Sequence, residues 1–107
     1  MDAVFQQHYQ AAERAYGLGD YTEAHALTTE LWNQLESGSG EHDPSLVMGW
    51  RAVVSLLLGH IQLHGLHNPE EAASAYQWVL ESEPDATLAA LAEQGLGYCR
   101  SQSITSA

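Results

Sequence analysis

Two stretches of the chain, 48 residues apart, share one pattern, and this repetition limits the fold more than any other feature. Residues 20–32, DYTEAHALTTELW, align with residues 68–80, NPEEAASAYQWVL, when Ala24 is placed over Ala72. Both begin with a turn-forming residue, continue with an acidic residue and alanine, and then carry apolar residues at helical spacing. Internal repetition of this kind is typical of folds that stack copies of one supersecondary unit.

Each aligned stretch is predicted to be the second helix of a helix–turn–helix unit. The first unit spans about residues 4–35 and the second about residues 44–83. A single further helix, about residues 85–100, follows them. Because the connections are short, consecutive helices should pack as antiparallel neighbours. The sequence therefore predicts an all-α domain over residues 1–100.

Residues with a known preference for helix ends mark these boundaries. Asp20, Asn68 and Asp85 are predicted N-caps, since their side-chain oxygens can accept hydrogen bonds from free N–H groups. Pro69 suits a first helical turn, and Pro84 is predicted to stop the same helix.

The third helix is predicted to run from about Pro44 to His64 and to be the central element, because it is apolar on several sides. Residues 36–45, rich in glycine, serine and charge, are predicted to form a loop. Residues 101–107 are predicted to be a flexible tail. The fifth helix is expected to carry the apolar residues Leu88, Leu91, Ala92 and Tyr98.

The second unit resembles the tetratricopeptide repeat. Leu58–Gly59 matches the Leu-Gly pair of that pattern, and Ala72, Tyr76 and Pro84 match its later alanine, aromatic and proline positions. In the first unit, the turn at residues 19–21, Ala24 and Ala12 resemble the same motif. The fifth helix is similar to the helix that closes such arrays.

The chain also departs from that family. The units are 48 residues apart, whereas the repeat is about 34 residues long. Thr28 stands at the aromatic position of the first unit, and Glu36 stands at its proline position. In the second unit, the connection between Gly59 and Ala72 is one residue longer than usual.

The resemblance implies a right-handed α-α superhelix whose first helices line a concave groove that binds another protein or a peptide. Such a module needs no cofactor and is not an enzyme. Apolar, aromatic and acidic side chains at the groove positions favour an apolar or basic partner. The groove positions that the resemblance implies are Tyr9, Glu13, Tyr16, Val53, Leu56, His60, His64, Ala89, Glu93 and Leu96.

Some relatives bind the C-terminal carboxylate of heat-shock chaperones through lysines and an arginine in their groove. This chain has no lysine, and its arginines, Arg14, Arg51 and Arg100, fall outside the groove positions. The resemblance therefore does not extend to that chaperone-adaptor role.

The charge balance narrows the partner further. The 107 residues include 14 acidic and three basic residues, for a net charge of −11. Such a charge repels nucleic acid and anionic membranes. The single cysteine, Cys99, cannot form an internal disulfide, and no apolar run approaches the ~20 residues of a membrane span. We expect a cytoplasmic protein that binds neither nucleic acid nor membrane.

Two alternatives remain open at the level of sequence. An exposed apolar groove could be covered by a second copy, which would give a homodimeric structural or chaperone-like subunit. His60 and His64, four residues apart with His67 beyond, could hold a metal ion. Ile61 follows the first histidine where a zinc hydrolase needs glutamate, so this cluster does not predict a metalloprotease.

Overall fold

Helices form all the regular structure in the described part of the chain, which comprises residues 3–37, 44–82 and 85–105 of a computed structural model. This confirms the all-α prediction. A short π-helical segment, Ile61–Gly65, directly continues the third helix. The α-helices are α1 (Ala3–Gly17), α2 (Tyr21–Ser37), α3 (Pro44–His60), α4 (Pro69–Glu81) and α5 (Ala86–Thr105).

Two helices extend past the predicted boundaries. α2 continues to Ser37, and the rest of the predicted loop before Pro44 lies outside the described residues, as does the helix-stopping Pro84. α5 continues to Thr105, so it includes residues 101–105 of the predicted tail. No glycine or proline follows Gly97, so the sequence supplies no residue that would end the helix earlier.

All three predicted N-caps are confirmed. The side-chain carboxylate of Asp85 accepts a hydrogen bond of 2.9 Å from the backbone N–H of Leu88. Asp20 and Asn68 accept longer bonds, of 3.4 and 3.5 Å, from the residues three positions on. Each cap satisfies a backbone donor that the helix itself leaves free.

The turns inside the two units have related geometry. Gly19 adopts a left-handed conformation (φ 82°), and the N–H of Asp20 bonds to the carbonyl of Ala15 at 2.9 Å. In the second turn His67 is left-handed (φ 53°), and the N–H of Asn68 bonds to the carbonyl of Gln62 at 2.8 Å. The second turn spans one residue more because the π-helical segment inserts it.

α3 packs against helices on both sides, as predicted for the central element. One apolar core lies between α1, α2 and α3, and the other lies between α3, α4 and α5. The first core contains Phe5, Ala12, Ala15, Ala24, Leu31, Leu35, Val47, Val54, Leu57 and Ile61. The second core contains Leu56, Leu63, Ala72, Tyr76, Val79, Ala92, Leu96 and Cys99.

The apolar residues of α5 do not all face the core. Leu91 is 39% exposed and Tyr98 is 52% exposed, whereas Ala92 is fully buried. The small residues of the helix, which let it approach α4 closely, set its orientation. Its buried residues are Ala92, Gly95, Leu96 and Cys99.

Candidate functional site

The predicted groove residues of α1 share one side of that helix. Tyr9 and Tyr16 are seven residues apart and both are partly buried, with the exposed Glu13 between them. The ring of Tyr9 packs edge-on against Trp50 of α3, with 5.5 Å between the ring centroids. This side of α1 therefore borders α3, as the groove assignment requires.

On α3 and its π-helical extension, three of the four predicted residues retain exposed surface. Val53 and His60 are half-buried and His64 is exposed. Leu56 differs, because it is only 7% exposed and belongs to the second core. A glutamate at this position would place an unpaired charge in the core, so it would test the fold rather than binding.

On α5 the structure brings a different residue to this surface. Ala89, Glu93 and Leu96 share one side of the helix, and Leu96 is buried beside α4, where it lines a shallow hollow with Ala73 and Gln77. Tyr98 lies about 200° around the helix from Leu96. Its ring centroid is 6.2 Å from that of His64.

The pairing of His60 with Tyr76 fixes the floor of this surface. The Tyr76 hydroxyl lies 2.6 Å from Nδ1 of His60, and the phenol donates whenever that nitrogen is unprotonated. Burial, together with the neighbouring Cys99 and Tyr16, raises the pKa of the Tyr76 hydroxyl. Burial, with a smaller contribution from His64, lowers the pKa of His60. Both groups are therefore neutral at neutral pH.

Two glycines hold the Tyr76 ring in place. A Cβ atom at Gly59 would lie 2.7 Å from the ring, and one at Gly95 would lie closer still. Since real Cβ contacts of this length do not occur, α3 and α5 can clasp the ring only with glycine at both positions. The side chain of Tyr76 is fully buried as a result.

These residues form an aromatic surface on α1, on the end of α3 with its π-helical extension, and on α5, in which ring contacts join Tyr9 to Trp50 and His64 to both His60 and Tyr98. It carries phenol rings, imidazoles and one neighbouring carboxylate, Glu13, all suited to hydrogen bonding and to ring stacking. Cys99 lies beneath it as a buried thiol whose pKa burial raises, which disfavours the reactive thiolate. We call this surface the tyrosine–histidine face; it comprises Tyr9, Tyr16, His60, His64 and Tyr98.

The histidine pair does not extend to a larger ligand set. The rings of His60 and His64 are 6.1 Å apart between centroids, with 34° between their planes. Within the described ranges no three histidine, cysteine or acidic side chains gather where they could hold a metal ion. The suggested set of His60, His64 and His67 is therefore not assembled.

A second concavity, of about 220 Å³, lies between α2, α3 and α4. Trp32 and Trp78 meet there edge to face, with 4.9 Å between ring centroids, and the guanidinium of Arg51 lies 5.8 Å from the centre of the Trp32 ring. The indole rings of Trp32 and Trp78 therefore already make ring and cation contacts within the molecule. The pairing joins residues 46 positions apart, which helical periodicity alone does not indicate.

Comparison with known proteins adds no assignment: no family model, curated protein or solved structure matches this chain. None of the helices in the described residues is long and apolar enough to cross a membrane. Function must therefore be argued from the tyrosine–histidine face.

Proposed function

We propose that this chain is a tetratricopeptide-like, non-catalytic interaction module that binds a polypeptide across the tyrosine–histidine face. In this proposal the two helix–turn–helix units stack as a right-handed superhelix, α5 closes the array, and the protein works in the cytoplasm. Its partner lies along α1, α3 and α5.

The local geometry of the two units supports the repeat. Ala24 and Ala72 are both fully buried at corresponding positions, where small side chains permit close helix packing. The left-handed residue of each turn, Gly19 or His67, precedes its unit's alanine by five positions. The π-helical segment accounts for the extra residue between Gly59 and Ala72, since a π turn takes up one residue more than an α turn.

One observation carries the functional part of the proposal. α3 is buried on two sides by its neighbours, yet Val53, His60 and His64 keep exposed surface between the tyrosines of α1 and α5. Aromatic side chains with a polar end are enriched in protein interfaces, where they bury large areas at low entropic cost.

Selection of peptides from a displayed random library tests this proposal. Peptides enriched on the wild-type protein should bind Tyr98→Ala about tenfold more weakly, because exposed aromatic anchors dominate interface energies. Leu18→Ala is the matched control, since Leu18 is 79% exposed in the first turn and lies outside the face. Enriched peptides that lose affinity equally for both variants, or for neither, would contradict the proposal.

A second candidate function is self-association. Leu91 and Tyr98 are seven residues apart and form an exposed apolar strip on α5, which a second copy could cover. Sedimentation across a hundredfold range of concentration distinguishes the two functions. A dimer that Leu91→Ala and Tyr98→Ala both dissociate would favour self-association, and a monomer throughout would exclude it.

A further inference from the structure

The positive charges of this chain lie away from the tyrosine–histidine face. Arg14 and Arg100 each stand two residues from a tyrosine of the face, Tyr16 and Tyr98, and so point about 200° away around their helices. Arg51 lies over the Trp32 ring, next to the second concavity. Every arginine of this chain of net charge −11 is therefore directed elsewhere, and no arginine or lysine of the described residues on this face would repel a cation.

The face consists of phenol and imidazole rings, with the Glu13 carboxylate beside Tyr9. Burial, and then the nearby Glu13 carboxylate, raise the pKa of the Tyr9 hydroxyl to about 12, so this phenol stays neutral beside a negative charge. His60 is also neutral at neutral pH, for the reason given above. Tyr98 presents half of its surface to solvent.

These features select one kind of partner. We propose that the face binds a cationic segment of another protein, whose arginine side chains stack on the exposed Tyr98 and the partly buried Tyr9 and Tyr16 and pair with Glu13. A planar guanidinium can stack on a ring and donate to a carboxylate at once, which an ammonium group does less well. This inference rests on the proposed function and names the chemistry of its partner.

The same charges weigh against a second copy as the occupant. Two chains of net charge −11 repel each other, and the arginines that could complement Glu13 are only three in number. A basic partner instead gains attraction at long range, which also speeds association.

The test uses three synthetic amphipathic peptides with one leucine face and with arginine, glutamine or glutamate at the polar positions. Binding to the full chain is measured by fluorescence anisotropy. Two variants form a matched pair, Glu13→Gln and Glu30→Gln, since both residues are exposed acids and Glu30, on α2, lies outside the face and outside the predicted groove. Tyr98→Ala reports on the face itself.

We expect the arginine peptide to bind tightest and the glutamate peptide weakest. Glu13→Gln and Tyr98→Ala should each weaken binding of the arginine peptide about fivefold, whereas Glu30→Gln should change its affinity less than twofold. An equal loss of affinity with Glu30→Gln would mean that the peptide is attracted by the overall charge alone, and would overturn the inference.

The two proposals can fail separately. Equal binding of the arginine and glutamine peptides, with a loss on Tyr98→Ala, would refute a cationic partner and keep the tyrosine–histidine face as a polypeptide site. If Tyr98→Ala leaves the binding of every peptide unchanged, the face itself is wrong, and the proposed function fails with it.

Discussion

The two helix–turn–helix units have different side chains where their paired helices pack together. At corresponding positions the second unit has Tyr76, whose ring fills the space beside Gly59, and the first unit has Thr28. Thr28 is fully buried and its hydroxyl donates to the carbonyl of Ala24 at 2.7 Å. Ala12 stands in the first unit where the Leu-Gly glycine stands in the second.

The difference shows that the size of one residue sets the size of its neighbour. The first unit, with Thr28, has an alanine at position 12, whereas in the second unit the Tyr76 ring leaves no room for a Cβ at Gly59 or Gly95. The larger residue also reaches His60 on the facing helix, whereas the Thr28 hydroxyl bonds to the backbone of its own helix. At this position only the second unit therefore has a side chain that contacts the tyrosine–histidine face from beneath.

Removing the larger residue should separate the two units most clearly. Tyr76→Ala should lower the free energy of unfolding by about 3–5 kcal/mol, the range for truncating a buried aromatic ring. Thr28→Ala should cost about 1–2 kcal/mol, because it removes one methyl group and one hydrogen bond. Urea denaturation followed by circular dichroism measures both. Equal costs would mean that the Tyr76 ring does not organise the second core.

Adding a methyl group at Gly95 should have the next largest effect on stability. Gly95→Ala should destabilise the protein by about 1–3 kcal/mol, since the new methyl group would overlap the Tyr76 ring. Gly97→Ala is the control two residues away, where a Cβ meets nothing within 4 Å. That change should stabilise α5 by up to about 1 kcal/mol through helix propensity. Unfolding temperatures that shift in the same direction for both variants would contradict the close packing of the Tyr76 ring on Gly95.

Substitutions in the two turns should change stability by smaller amounts and in opposite directions. His67 adopts a left-handed backbone (φ 53°) that costs most residues about 1 kcal/mol, while the corresponding Gly19 adopts it freely. His67→Gly should therefore stabilise the protein by up to about 1 kcal/mol, and Gly19→Ala should destabilise it by a similar amount. Chemical denaturation of both variants checks the signs, and a destabilised His67→Gly would show that the imidazole makes a contact worth more than the backbone strain.

The smallest expected effect is a pH dependence confined to the second unit. Because the folded protein lowers the pKa of His60, the unfolded chain binds this proton more readily, and the unfolded value is about 6.5. The contribution of neutral His60 is present above that pH and is lost as the pH falls below it. His60→Asn should reduce the loss of stability between neutral and mildly acidic pH. His8→Asn, an exposed control on α1, should leave it unchanged, and an equal effect of both would refute the assignment.

The sequence predicted the helices better than their orientations. The caps at Asp20, Asn68 and Asp85 follow from local chemistry, in which each side chain bonds to its own helix, so a single sequence suffices to find them. The rotation of α5 depends on which residues let it approach Tyr76, and this is a contact between distant parts of the chain. Apolar character alone does not distinguish the exposed Leu91 and Tyr98 from the buried Leu96, whereas the small residues at 92, 95 and 99 indicate the buried side.

The same limit applies to the candidate site. Its residues on α1 and α3 follow from helical spacing, because Tyr9 and Tyr16, or Val53 and His60, are seven residues apart. Tyr98 was missed because the resemblance to a closing helix supplied Ala89, Glu93 and Leu96 instead. The contact between Tyr76 and His60 was also missed, since neither residue's pattern indicates that a phenol would reach an imidazole on the preceding helix.

The position of α3 between two cores has a consequence for how the molecule opens. Neither unit can detach without exposing one apolar side of this helix, so local unfolding of either end is coupled to the middle. The backbone amides of α3 should therefore exchange with solvent deuterium only through global unfolding, while those of α1 and the end of α5 exchange earlier through partial openings. A partner bound across α1, α3 and α5 would slow amide exchange in all three helices together. Amide exchange would therefore report directly whether the tyrosine–histidine face is occupied.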